Sequence, residues 1–282
     1  MTTRQHPSHP SNPFHWLRQW LALMALAILA ACGGGQESEP AQQVSMRAQL
    51  DPVEAPKSAE MKLLVISATG TQPSYNAITA VLDQIGVPFD RLVLQGPNKT
   101  TLAMVPGTLS DGAGNGKYQG IILETGDLPY EKTTGYFPSA MTAAQWTMLW
   151  QYQRDFGVRT ATLYTRPALT VSDDAVPQNL DLTYGLDPFA VTARSTNTGV
   201  EPPVVATFTP DGSQVFNYLN STNPISIINA FTYLAKPALG ANVTPLLQTS
   251  SEATGPFTIA SVFTAPDGRQ NLALTADSNE NC

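Results

Sequence analysis

Glu124, Asp127 and Glu131 crowd one short stretch of a chain that is otherwise sparing with charge. Carboxylates so placed can hold sugar hydroxyls or a cationic amino sugar, and two of them can in principle divide acid and base roles. Ser67 and Thr69 add hydroxyls at the end of one apolar run, and Arg166 adds a guanidinium after another, just before Pro167. Tyr75, Tyr130, Tyr136 and Tyr164 offer apolar ring faces with a polar tip, a combination suited to lying against a pyranose ring. Each group also has a plain structural role open to it. The acids read as loop-solubilising or turn-capping residues, the tyrosines as packing, and Arg166 equally as a ligand clamp or a salt-bridge partner. Trp146 and Trp150, four apart with Leu149 between them, read as the buried face of a helix.

Missing residues narrow the chemistry further. The three histidines are His6, His9 and His15, and the two cysteines are Cys32 and Cys282. From Cys32 onward no Ser-His-Asp triad, Cys-His dyad or His-ligated zinc site can be assembled. Neither a GxGxxG nor a Walker sequence occurs, so a nucleotide phosphate has no cradle. No catalytic residue, metal or cofactor is therefore expected of this chain alone. A net charge of −7 argues against a nucleic-acid partner, which needs a basic face to release counterions.

The elements that must position these residues follow from hydrophobic spacing. Lys62–Ser67 is a continuous apolar run, as in a strand covered on both faces. Ser74–Ile85 carries apolar residues at helical spacing and stops at Gly86; Phe89–Leu94 then makes a βαβ unit. Tyr118–Glu124 is a third strand. Thr142 and Gln145 have capping-box spacing and open a helix that ends at Gly157. Val158–Thr165 is a fourth strand. The expected fold is α/β, a mostly parallel sheet with flanking helices of flavodoxin-like or glutamine-amidotransferase-like type. Strand carboxyl ends then gather Ser67–Gly70, Glu124–Asp127 and Thr165–Arg166, where ligands of open α/β sheets bind.

Beyond about residue 170 the pattern turns β-rich, as an insertion stacked on the sheet or as an antiparallel edge that completes it. Val204–Thr209 and Gln214–Leu219 bracket Pro-Asp-Gly-Ser, and Phe257–Thr264 and Gln270–Thr275 bracket Pro-Asp-Gly-Arg, both hairpin signals. Pro224–Leu234 adds a strand or a short helix. With 282 residues, 42% of them hydrophobic, the chain can fill one large domain or two small ones, the latter splitting near residue 170.

The start of the chain is of another kind. The run Trp20–Ala31 is too short to span a bilayer but has the length of a signal-peptide core. It ends Leu29-Ala30-Ala31-Cys32, which resembles a bacterial lipobox and implies cleavage before Cys32 and lipidation of its thiol. Residues 1–31 then form the signal peptide, and 32–60, rich in Gly, Gln, Glu, Pro and Ala, a flexible tether. The body is residues 61–282. Gly33 after the cysteine is compatible with an outer-membrane anchor in the cell envelope.

Two stretches carry a wider resemblance. Leu63–Gly70 (LLVISATG) and Ala77–Leu94 (AITAVLDQIGVPFDRLVL) resemble the opening of the galactosaminogalactan deacetylase family and its bacterial relatives. Tyr118–Glu124 (YQGIILE), Ala140–Trp146 (AMTAAQW) and Trp150–Arg159 (WQYQRDFGVR) resemble it more specifically. In that family the segment belongs to an N-terminal carbohydrate-binding module that precedes a metal-dependent deacetylase domain. The resemblance implies an amino-sugar polysaccharide ligand, with Ser67, Thr69, Glu124, Asp127, Tyr130 and Arg166 as candidate contacts. It also implies a deacetylase domain or partner that this sequence does not supply. A second resemblance, in the βαβ opening and Val243-Thr-Pro-Leu-Leu247, is to glutamine-amidotransferase-like folds. Without their Cys and His, this would be a catalytically empty structural or protein-binding lipoprotein.

Overall fold

The computed structural model describes residues 57–94, 104, 106–167, 180–195, 202–249 and 254–277. The expected signal peptide, Cys32 and most of the tether lie outside the described residues. Residues 54–282 form one compact unit. The end of the expected tether is structured: Ser58–Ala59 pairs in parallel with Asn115–Gly116. Among the described residues no helix is long and apolar enough to cross a membrane.

The first half follows the local patterns closely. Strand β1 (Leu63–Ser67) buries Leu64 and Ile66 towards one face and Val65 towards the other. Helix α1 (Pro73–Ile85) starts on a proline, whose missing N–H costs nothing at the first helical position. It ends at Gly86, whose φ of 71° is a left-handed cap, and packs Tyr75 and Leu82 on the Val65 face. Strand β2 (Phe89–Val93) and strand β3 (Gly120–Leu123) both lie parallel to β1. Helix α2 (Ala143–Phe156) lays Trp146, Leu149 and Tyr152 on the opposite face, with Leu64, Ile66, Ile121 and Leu123. Both bonds of its capping box form: Gln145 N–H donates to Thr142 Oγ1, and Thr142 N–H donates to Gln145 Oε1. Strand β4 (Arg159–Thr162) runs parallel to β3.

The second half extends that same sheet. It contributes β5 (Thr192–Ser195), β6 (Val204–Phe208), α3 (Pro210–Val215), β7 (Ile225–Ile227), β8 (Phe231–Leu234), β9 (Val243–Thr249), β10 (Phe257–Thr264) and β11 (Gln270–Leu274). The large sheet has nine strands in the order β2-β1-β3-β4-β11-β10-β9-β6-β7. Strand β11 joins the halves, pairing parallel to β4 on one side and antiparallel to β10 on the other. The expectation of a mostly parallel sheet is thus corrected. The sheet is mixed, because every pairing from β11 to β7 is antiparallel, and few helices flank it. Strands β5 and β8 form a separate antiparallel ribbon.

One turn signal misleads. Pro210-Asp-Gly-Ser does not turn a hairpin but opens α3. Thr209 Oγ1 accepts from Gly212 N–H at 2.9 Å, Pro210 takes the first helical position and Asp211 the first turn. Those residues are as good a helix start as a hairpin turn. The similar Pro266-Asp-Gly-Arg269 does turn a hairpin, between β10 and β11, with Gly268 at φ 88°. The Pro224–Leu234 stretch resolves into two strands, β7 at the sheet edge and β8 in the ribbon.

Candidate functional site

The chain leaves β1 first to one side, for β2, and later returns on the other, for β3. The carboxyl ends of β1 and β3 therefore flank the point where the winding reverses, the place for a crevice. Glu124 fills it. Its Oε1 accepts the Ala68 N–H at 2.7 Å, and the side chain is fully buried. Among the described residues its Oε2 has no hydrogen-bond partner. Burial pushes this carboxyl up to about 7, against the lowering influence of the Ser67 hydroxyl and the Ala68 N–H. Ser67, also buried, accepts the Gly70 N–H at 2.7 Å and donates to Gln72 Oε1 at 3.1 Å, which shapes the loop after β1. The Glu124–Ala68 bond thus holds the two strand ends together. Thr69 stands half exposed on that loop, its hydroxyl 2.8 Å from that of Thr71.

Beyond Glu124 the chain turns through Gly126, whose N–H donates to the Tyr164 carbonyl. The Tyr184 hydroxyl donates to the Gly126 carbonyl at 2.6 Å. A β-carbon at Gly126 would lie 3.1 Å from the Tyr184 ring and 3.2 Å from Thr165 Cγ2, so the close approach favours glycine. Asp127 is half-buried; desolvation raises its carboxyl to about 6, and the Arg166 charge opposes the rise. Arg166 is exposed, and its charge acts on Asp127 and Tyr164. Tyr130, a candidate contact, lies in the core. It is 8% exposed and packs with Leu128, Ala140 and Met141 beneath the loop. Tyr75 is likewise buried under α1, whereas Tyr136 is exposed.

Tyr164 is the aromatic that reaches the rim, and it does not stand alone. Its ring stacks on Tyr233 at 5.6 Å between centroids, and Phe231 meets Tyr233 edge-on at 5.2 Å. Strand β8 supplies these two rings from positions two apart, hence on one face. Past the end of β11, Tyr233 N–H donates to the Thr275 carbonyl and Asp277 N–H to the Phe231 carbonyl. This docks the ribbon against the end of β11. Burial, then the neighbouring Tyr233 and Asp277, push the Tyr164 phenol well up, against the opposing Arg166 charge. Burial alone raises the Asp277 carboxyl. Phe231, Tyr233 and Asp277 escaped the sequence reading; the available signal was the aromatic alternation Phe231-Thr-Tyr233. Trp146, by contrast, is buried, with its indole N–H on Ser139 Oγ, and Trp150 carries the Arg269 guanidinium on its ring. Among the described residues no group of three His, Cys, Asp or Glu side chains could hold a metal ion.

The described residues thus form a mixed nine-stranded α/β sheet with aromatic and acidic residues at one rim. The family model of the Agd3 CBM87 domain matches residues 59–276, so the chain belongs to this family of carbohydrate-binding modules. Among solved structures it is similar to Agd3, described as a novel carbohydrate deacetylase, with 20% identity and a TM-score of 0.59. That match covers 78% of this chain and 30% of the Agd3 chain, so the chain spans about a third of that protein's length. A glutamine amidotransferase from Thermotoga maritima aligns over 77% of this chain and 75% of its own, with 10% identity and a TM-score of 0.34. That overlap is too low to argue from. A search of curated proteins returns no match.

Proposed function

We propose that this module binds an amino-sugar exopolysaccharide at the carboxyl-end rim and holds it for a deacetylase, while a lipid on Cys32 tethers the module to the outer membrane. The observation that carries the binding reading is the stacked Tyr164–Tyr233 pair, set at the same sheet edge as Asp127, Arg166 and Asp277. Tyrosine rings give a sugar ring apolar area at little entropic cost, and the flanking charges address its polar edge. A deacetylase as the downstream partner follows from the likeness to Agd3, in the family resemblance and in fold. Residues 1–31 act as the export signal and residues 32–56 as the spacer.

Titration calorimetry of the purified protein against hexosamine oligomers and polymers tests the reading. Millimolar to micromolar affinity, about 4–8 kcal/mol, is expected for oligomers. Several modules on one polymer would bind more tightly through avidity. Tyr233→Ala abolishes measurable binding while the melting transition persists. Failure of every hexosamine polymer to bind rejects the reading. For the anchor, Cys32→Ser moves the protein out of the membrane fraction and removes the acyl mass; an unlipidated wild-type protein rejects that part alone.

A further inference from the structure

The middle of the large sheet is sealed on one face only. On the α2 face, Gln153 Nε2 donates to Thr160 Oγ1 and Asn271 Oδ1, and all three residues are buried. On the other face a single register row crosses from β1 to β10 as Val65, Ile122, Ala161, Leu272 and Val262. Helix α1 covers Val65, but the other four are only half-buried and floor a groove of about 660 Å³. In the next row Gly120 lies between Leu63 and Arg159 and, having no side chain, leaves that end of the groove open. Asp211 and Val215 of α3 form the far wall. Parallel strands in the middle of an α/β sheet normally have both faces covered, so an apolar floor left open marks a contact surface.

The wall of the groove also carries an apolar projection. Val215 is 51% exposed, and the turn that follows α3 leaves Leu219 54% and Tyr218 96% exposed. We propose that the occupant is a second copy of this chain, in a two-fold dimer where each copy seats Val215, Tyr218 and Leu219 in the other's groove. A projection beside a groove on one surface is self-complementary, as a two-fold contact requires. The charges obey the same symmetry. Arg159 and Asp211 both line the groove and are exposed, and among the described residues neither forms an ion pair. Across the two-fold axis Arg159 of each copy meets Asp211 of the other, so the pair forms twice. Leu63, Gly120 and Arg159 begin their strands, so the dimer leaves the carboxyl-end rim open. The dimer does not depend on what that rim binds, but it sets two rims on one assembly, where a polymer gains avidity.

Sedimentation velocity on the purified full chain tests the proposal. A reversible dimer of about micromolar dissociation constant is expected, ordinary for a contact of standard size. Tyr218→Ser removes the projecting ring from an exposed position, where folding is not at risk, and weakens the dimer at least about tenfold, the scale of a buried aromatic anchor. Arg159→Asp and Asp211→Arg each set like charges against one another and weaken it by a similar factor. The double variant, Arg159→Asp with Asp211→Arg, restores opposite charges across the axis and recovers the dimer. A wild-type chain that stays monomeric up to about 100 μM overturns the proposal and leaves the groove to a partner of another kind. A dimer that survives Tyr218→Ser and Arg159→Asp undiminished overturns the face assigned to it. Failure of the double variant to recover what the single reversals lose overturns the Arg159–Asp211 pairing.

Discussion

Glu124 and Asp277 stand at the same edge of one sheet, yet the halves that deliver them treat a carboxylate in opposite ways. The parallel half inserts Glu124 into the winding-reversal point and ties it to the Ala68 backbone, where it closes the crevice that a doubly wound protein would leave for a ligand. The antiparallel half holds Asp277 by its backbone N–H on the Phe231 carbonyl, and among the described residues its side chain makes no hydrogen bond or ion pair. Acidity at a rim therefore says little by itself; the company a carboxylate keeps separates architecture from recognition. Here Glu124 fills the conventional α/β site, and the aromatic cluster lies at the seam where the second half joins.

The sharpest way to break this comparison is to ask whether the two halves tolerate a methyl group equally. A β-carbon at Gly212, in α3, would stand 1.9 Å from the Leu246 carbonyl oxygen of β9, which is backbone and cannot step aside. Gly212→Ala should therefore destabilise the protein by roughly 3–5 kcal/mol, at the upper end for single substitutions. At Gly120, in β3, the methyl would meet the tip of Leu63 at 2.8 Å, a side chain that can rotate. Gly120→Ala should cost about 1 kcal/mol or less, since strands disfavour glycine anyway. Urea midpoints of the two variants measure the contrast. Equal losses would show that α3 is not wedged on β9 as described.

The next effect belongs to Glu124 and to pH. Its folded-state pKa is about 7 against an ordinary 4.5, so the folded protein holds the proton more tightly than the unfolded chain does. Stability is then greatest below the ordinary value and falls as pH rises from about 4.5 to about 7, by about 3 kcal/mol, with no further loss above. Asp127, raised to about 6, tilts the curve the same way by a smaller amount, being half-buried. Glu124→Gln keeps an acceptor for the Ala68 N–H and never ionises. It should flatten most of that slope and raise the melting temperature at pH 8 while leaving it unchanged near pH 4. An unaltered slope would show that Glu124 is not the titrating group.

Legibility divides along the same seam. The parallel half is written locally: the apolar run at Leu63–Ser67, the capping residues Thr142 and Gln145, and the terminating Gly86 and Gly157 are each read within a few positions. The wider motifs Tyr118–Glu124 and Trp150–Arg159 lie in that half as well and carried the family. The antiparallel half depends on partners far away in sequence. Nothing near Asn271 or Leu272 announces that they will pair in parallel with Thr160 and Ala161, so the place where the second half joins the sheet was hidden. Tyr164 and Tyr233 meet only because the β5–β8 ribbon docks on the end of β11. Pro210-Asp-Gly was ambiguous for a different reason, since helix starts and hairpin turns recruit the same residues.

The two N-caps give the smallest and cleanest contrast between the halves. Thr209 does two jobs: its hydroxyl accepts the Gly212 N–H and donates to the Pro245 carbonyl at 2.7 Å, tying the start of α3 to β9. Thr209→Ala should therefore cost about 2 kcal/mol, a cap plus a tertiary hydrogen bond. Thr142 serves only its own helix, accepting the Gln145 N–H at 3.3 Å. The reciprocal bond, from Thr142 N–H to Gln145 Oε1, uses the backbone and survives truncation of the threonine. Thr142→Ala should cost about 1 kcal/mol, a fall of roughly 2–4 °C in melting temperature for a domain of this size. Thr142→Ser, which keeps the hydroxyl, should restore most of it. A loss at Thr142 as large as that at Thr209 would mean that the start of α2 carries tertiary ties like those of α3, and the separation between a locally written half and a long-range half would fail at its simplest point.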